Sequence, residues 1–292
     1  MPWIPRGLSE GIVTSRYPRS TDGYGRTFRG SISVAEAPST ATRIQASVEA
    51  CPTGAIIVKD GETKVDRGKC ILCGRCTEFG PDVFRFDPGF ENAELRREAL
   101  VVPEIAENDG ALRLASAELR LKVRALRKSV HIRHIDVGSD GSEEWEVAAL
   151  TNPVYDVQRL GVFFTASPRH ADLLLATGVG AVGMLDALRQ TYEAMPEPKV
   201  VIAAGVDAIS GGLLGRGYAS RGGLAPSVPV DVFVPGSPPS PFGLLYGILL
   251  AVGLLSTTNF GPRERSQESR EMRVGVTGSE KPPDSFGKEG RM

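Results

Sequence analysis

Three of this chain's four cysteines, Cys70, Cys73 and Cys76, fall in KCILCGRC at Cys-x2-Cys-x2-Cys spacing, and the fourth, Cys51, stands directly before Pro52. Thiols this closely spaced constrain the backbone to a tight loop and make whatever they hold part of the fold. The N-terminal stretch MPWIPRGLSEGIVTSRYPRS has no uninterrupted apolar core followed by a small-residue cleavage pattern, so a cytoplasmic location is expected. Thiols are kept reduced there, which favours a metal site over disulfides.

The spacing also indicates which site. In bacterial-type ferredoxins the run Cys-x2-Cys-x2-Cys-x3-Cys-Pro occurs twice, and the last cysteine of each run ligates the other cluster. Cys70, Cys73 and Cys76 are then the first three positions of a second run, and Cys51 is the last position of a first run. The remaining positions fall at Ala41, Ile44, Ser47 and Gly80, none of them a cysteine. One complete ligand set is kept and the other is wholly lost, which predicts one 4Fe-4S cluster on Cys51, Cys70, Cys73 and Cys76. A four-cysteine zinc site is the alternative, although a pair plus a pair is the usual zinc spacing.

The chain has 292 residues, 41% apolar and 24% charged, enough for two ordinary globular domains, and its net charge of -1 gives no overall attraction to nucleic acid. Residues 1–40 are rich in Gly, Ser, Arg and Pro and are expected to be a leader, either disordered or lying on a partner or membrane surface through the stretch from Trp3 to Val13. Residues 41–92 form a ferredoxin-type 4Fe-4S segment of α+β character. Residues 93–134 are expected to be a basic helical linker, with Leu112, Ala115, Leu119, Val123, Leu126 and Val130 at helical spacing and a solvated face of arginines and lysines. Residues 257–292 are polar and charged, the composition of a disordered tail.

Residues 135–256 read as an α/β domain. LGVFFTAS, ADLLLATG, KVVIAAG and VDVFVPG are short apolar runs of the kind that form strands buried on both faces, and GMLDALRQTYEAMPEP is a helix between two of them. Strand, helix, strand in this order predicts a parallel sheet, with any site at the strands' carboxyl ends. Phe242 to Leu255 is too short to span a bilayer, which takes about 20 residues, and reads as a buried helix packed on the sheet.

The motifs NPVYDVQRLGVFFTASPRHADLLLATG, YEAMPEPKVVIAAG, ISGGLL and PVDVFVPGSPPSP, in this order, resemble the small (20 kDa-type) electron-transfer subunit shared by group 4 NiFe hydrogenases, formate hydrogenlyase and respiratory complex I. The resemblance covers residues 129 to 255 and implies a flavodoxin-like fold. The cysteine segment, with FRG before it and SRYP in the leader, resembles the polyferredoxin subunit of the same complexes, so the chain looks like a fusion of two neighbouring subunits. The family's small subunit holds a further 4Fe-4S cluster on cysteines whose matching positions here are Asp140, Glu143, Asp207 and Ser237. Iron-sulfur clusters need soft thiolates. Carboxylates and a hydroxyl suit Mg²⁺, Ca²⁺ or Mn²⁺, so the pocket is expected to be empty or, as the alternative, to hold a hard cation.

Two other patterns invite a functional assignment. Gly178, Gly180 and Gly183 in TGVGAVGML form a literal G-x-G-x-x-G after a strand, with Asp207 beyond it, which leaves a nucleotide-binding oxidoreductase as an alternative. His131, His134 and His170 are the only histidines and read as structural; Arg169 and Asp172 are expected to brace the loop beneath the cluster site. No nucleophile, base or triad is visible. The sequence as a whole implies a non-catalytic, iron-sulfur electron-transfer subunit of a complex I-like or hydrogenase-related assembly, partnered by a large subunit resembling the complex I 49 kDa subunit. Membrane contact would be indirect. A structural or docking subunit without redox turnover is the alternative.

Overall fold

The apolar runs LLLAT and VVIAA are buried at every residue, so they can only be inner strands covered on both faces. The computed structural model describes residues 3–20, 23–26, 28–35, 41–103, 108–124 and 129–255. In chain order the elements are α1 (Trp3–Glu10), β1 (Arg29–Val34), α2 (Ala41–Ala50), β2 (Ile56–Lys59), β3 (Glu62–Asp66), α3 (Arg75–Phe79), β4 (Phe84–Pro88), β5 (Val101–Val102), α4 (Asn108–Lys122), β6 (Val130–Asp136), α5 (Ser142–Ala149), β7 (Val162–Phe164), β8 (Leu173–Thr177), α6 (Leu185–Ala194), β9 (Val200–Ala204), α7 (Val206–Ser210), β10 (Val232–Val234) and α8 (Pro241–Ala251). The tail 257–292, and Leu126 in the linker, lie outside the described residues.

The second half is an α/β domain around a five-stranded, wholly parallel sheet ordered β10-β9-β8-β6-β7. Counted within the domain this is 2-1-3-4-5, the flavodoxin-like order, whose switch point lies between β6 and β8. Helix α8 packs on β9 and β10 with all of its residues buried, so its apolar surface is spent on the sheet. It begins at Pro241, whose missing N–H costs nothing at a helix start, and the Ser240 hydroxyl caps it by accepting from the Gly243 N–H at 3.2 Å. No helix among the described residues is long and apolar enough to cross a membrane.

The cysteine segment is built on two small sheets. β1 pairs antiparallel with β4, and β2, β3 and β5 form a second antiparallel sheet. Between them lies a core of Ile32, Ala55, Ile56, Val65, Val83, Phe84 and Val102.

Several expected boundaries differ in the structure. The segment draws β1 from the leader and β5 from the linker, because each supplies an edge that the short hairpins of 41–92 lack. The leader is also anchored elsewhere. Ser15 N–H donates to Val154 O at 2.9 Å, and Tyr17 is buried among Phe90 and Phe242. In the linker, α4 ends at Lys122, whose Nζ meets Asp231 Oδ1 at 2.7 Å. Val130 starts the inner strand β6 rather than continuing the helix: Val130, Ile132 and Ile135 are buried, and the polar residues between them are not. Residues 93–102 stitch the two halves together. Glu94 and Phe233 exchange backbone hydrogen bonds at 2.9 and 2.8 Å, and Arg97 grips Asp66 bidentately at 2.8 and 2.6 Å.

Candidate iron-sulfur site

Cys51, Cys70, Cys73 and Cys76 line one pocket, walled by Ile32, Ile56, Val65, Leu72 and Phe86. Cys51 follows the end of α2, and its Sγ accepts the Ala55 N–H at 3.2 Å. The other three come from the loop entering α3. Two left-handed residues, Leu72 (φ 54°) and Gly74 (φ 85°), curl that loop between the thiols. Glycine adopts this conformation freely, but leucine does so at a cost of about 1 kcal/mol or more, a strain that marks functional loops.

Burial pushes the Cys70 thiol up to about 12 and the Cys76 thiol up to about 11, and the negative charge that the neighbouring cysteines would carry adds to both. Without a positive group among them these thiols keep their protons. No group of three or more His, Cys, Asp or Glu among the described residues converges as ligands of a single metal ion do. A cubane places each thiolate on a different iron, so its ligands stand farther apart than those around one ion. Four thiols lining one pocket are the soft donors that an iron-sulfur cluster takes.

The positions where the sequence pattern would place a second ligand set are ordinary packing. Ala41, Ile44 and Ser47 lie on α2, where a ligand loop would be needed. Ser47 is fully buried, and its hydroxyl donates to Arg43 O at 2.9 Å and lies 3.4 Å from Cys76 O. A Cβ on Gly80 would sit 3.1 Å from the Ser47 hydroxyl, so these two positions do adjoin, with a filled space between them.

Asp140, Glu143, Asp207 and Ser237 follow the carboxyl ends of β6, β9 and β10, at the end of the sheet where a flavodoxin-like fold places its sites. The structure brings three of them together. Glu143 is buried in the first turn of α5; burial pushes its carboxyl up to about 7, and the charges of Asp207 and Asp140 add to this. Asp207 is raised by burial and by Asp140 and Glu144. Asp140 is held low by the Ser142 hydroxyl and N–H. Ser237 is exposed and takes no part in these interactions among the described residues.

A folded-state value of about 7 against the ordinary 4.5 means that the folded protein keeps a proton on Glu143 that the unfolded chain gives up. The stability this contributes is full below about pH 4.5 and is lost as pH rises through about 7. Glu143→Gln is therefore expected to be more stable than the native chain at pH 8, by on the order of 2 kcal/mol, with little difference at pH 4. Urea unfolding at the two pH values measures this.

Sequence reasoning missed Glu144. Its carboxylate accepts from the Thr177 hydroxyl at 2.5 Å and the Ser139 hydroxyl at 2.6 Å, and His134 Nε2 stands 3.6 Å away. Only its place in the first turn of α5 hinted at this. His131 lies apart, its ring stacked on Phe163. Asp172 accepts the His131 N–H at 2.8 Å, at the amino end of β8. It therefore cannot brace the loops at the carboxyl end, as the sequence had led us to expect.

The glycine loop spends its freedom on internal packing. A Cβ on Gly178 (φ 85°) would sit 2.7 Å from the Gly138 and Ser139 backbone, and Gly180 is pressed against Gly223. Backbone fills the approaches that a pyrophosphate would need, which counts against the nucleotide alternative. Gly178→Ala is expected to cost about 2–4 kcal/mol in chemical denaturation. NAD(H) is expected to leave the melting temperature of the native chain unchanged.

The two sites are neighbours. A smaller pocket is lined by Arg67, Cys70, Leu72 and Asn92 on one side and by Pro235 and Gly236, next to Ser237, on the other. A Cβ on Gly68 would meet Ile209 of α7 at 2.8 Å, so glycine is what lets the cysteine segment approach α7 so closely.

Residues 141–251 match the model of the family described as NADH ubiquinone oxidoreductase, 20 Kd subunit. Formate hydrogenlyase subunit 7 of Escherichia coli is 34% identical over 178 residues, covering 60% of this chain and 69% of that protein. The probable membrane-bound hydrogenase subunit mbhJ of Pyrococcus furiosus is 38% identical over 144 residues, 49% of this chain and 86% of that one. An NADH-quinone oxidoreductase subunit of Geotalea daltonii is 45% identical over 104 residues, 36% of this chain and 61% of that protein. With the flavodoxin-like sheet and these relatives together, the chain belongs to the family of the 20 kDa subunit of NADH:ubiquinone oxidoreductase.

Proposed function

We propose that this chain is an electron-transfer subunit of a complex I-like or energy-converting hydrogenase-related membrane complex, fusing a ferredoxin-type segment to the 20 kDa-type domain. It would carry one 4Fe-4S cluster, on Cys51, Cys70, Cys73 and Cys76. The observation that carries this reading is that all four cysteines of the chain line a single pocket, from two separate stretches of sequence. Bound there, the cluster supplies one-electron chemistry. The residues around it exclude water through Ile32, Ile56 and Phe86 and fix a thiolate through the Ala55 N–H.

In the 20 kDa-type domain, oxygen ligands stand where the resemblance implies cysteines, so that domain would act as a scaffold that docks the large subunit without relaying electrons. The complex would then lack the usual path to a hydrogenase-type centre. This feature also favours a second reading, a docking subunit without redox turnover. Protein-film voltammetry on the holoprotein separates the two. A reversible one-electron wave is expected, and an intact cluster that gives no wave would leave only the docking role.

A further inference from the structure

We propose that the outer face of the cysteine loop is a docking surface for an acidic one-electron donor protein, with Arg29 and Arg75 flanking Cys73 as its recognition pair. This rests on the cluster assignment above and adds the chemistry of the partner. Electron transfer needs close approach, and the four thiols are not equally approachable. Cys73 is exposed while Cys51, Cys70 and Cys76 are partly covered, and Cys70 faces inward towards Pro235 and Gly236.

At the rim of the cysteine pocket itself the charge is of one sign. Among the residues walling the cysteine pocket, Arg75 is the single charged side chain and there is no carboxylate. A second cation is brought from β1. The Arg29 guanidinium lies over the Phe86 ring at 5.2 Å from its centroid, and its Nη1 is 3.8 Å from where a Cβ on Gly74 would stand. Arg29 is thus held beside Gly74, the residue between Cys73 and Arg75 in sequence, and both arginines are exposed. Of the nearby acids, Asp82 is paired with Arg43 at 2.9 Å and Asp87 lies 3.9 Å from Arg67, while Glu78 is exposed on α3.

The chain's net charge is -1, so the attraction is local to this face. Paired guanidinium groups match carboxylates in bidentate geometry and steer an acidic surface to the exposed ligand. In the transfer itself the donor is oxidised by one electron and the cluster is reduced by one, with no proton or leaving group moved.

The test uses the full holoprotein under anaerobic stopped flow, with iron and sulfide content measured in every sample. The probes are a reduced, acidic 2Fe-2S ferredoxin and the methyl viologen radical cation. In the double variant R29Q/R75Q the ferredoxin rate at low salt is expected to fall about tenfold and the viologen rate to hold or rise. The charge-keeping double variant R29K/R75K is expected to hold most of the ferredoxin rate. Equal rates in R29Q/R75Q and the native protein, at native iron content, would overturn the proposal. A native protein that binds no iron would instead bring down the cluster assignment on which it rests.

Discussion

Cys70→Ala is expected to lose the iron-sulfur centre, with iron affinity falling by more than about 100-fold, beyond the 10–100-fold typical of changes one shell further out. Cys70 sits between the two pockets, against the core that holds Ile32, Val65 and Phe84, where solvent has no easy route to replace a missing thiolate. The same substitution is expected to loosen the cysteine segment. Cys51, Cys70 and Cys76 pack on a core of only seven buried apolar residues, and a core that small depends on what its ligands hold. Anaerobic reconstitution followed by metal analysis measures the first effect. Hydrogen exchange across β1–β4 and β2–β3 measures the second, and faster exchange confined to those strands is the expected pattern.

Phe242→Ala is expected to destabilise the protein by about 3–5 kcal/mol, the usual range for truncating a buried aromatic residue. Phe242 opens α8 and is 1% exposed. Its ring stacks on Phe90 at 4.8 Å, meets Tyr155 and Tyr17 edge-on at 4.8 and 5.9 Å, and touches Tyr24 and Phe28 at 5.1 and 6.3 Å. Those partners come from the leader, the end of the cysteine segment and the α/β domain, so one side chain ties three parts of the chain together. Guanidinium unfolding gives the energy. Limited proteolysis is expected to cut the variant first between Ser15 and Phe28, the stretch that loses its anchor.

That aromatic cluster also shows where the sequence was least legible. Tyr17, Tyr24 and Phe28 are isolated aromatics in a Gly-, Ser- and Arg-rich stretch. They have no helical or strand period, so nothing local signals that tertiary packing buries Tyr17 and part of Phe28. Strand β6 was obscured for a different reason. In VHIRHID the polar residues His131, Arg133 and His134 break up the apolar run, although the sheet still buries Val130, Ile132 and Ile135. By contrast β8, β9 and α8 were legible because full burial leaves an apolar run as their only workable composition.

That the four cysteines share one pocket was legible from their spacing. The carboxylate group at the other site was reached only through the family resemblance, since Asp140, Glu143 and Asp207 share no local pattern. The contacts of Glu144 with Thr177 and Ser139 depend on strands and loops brought together by the fold.

One cluster on one set of four cysteines is tested most directly by an anaerobic iron and acid-labile sulfide count with EPR of the dithionite-reduced native chain. About four irons and four sulfides per chain, with a single cubane signal, is the expected result. About eight irons would mean that the oxygen-lined site in the α/β domain also holds a cluster. One zinc and no sulfide would mean that the four cysteines serve a structural ion, and either result would contradict the account.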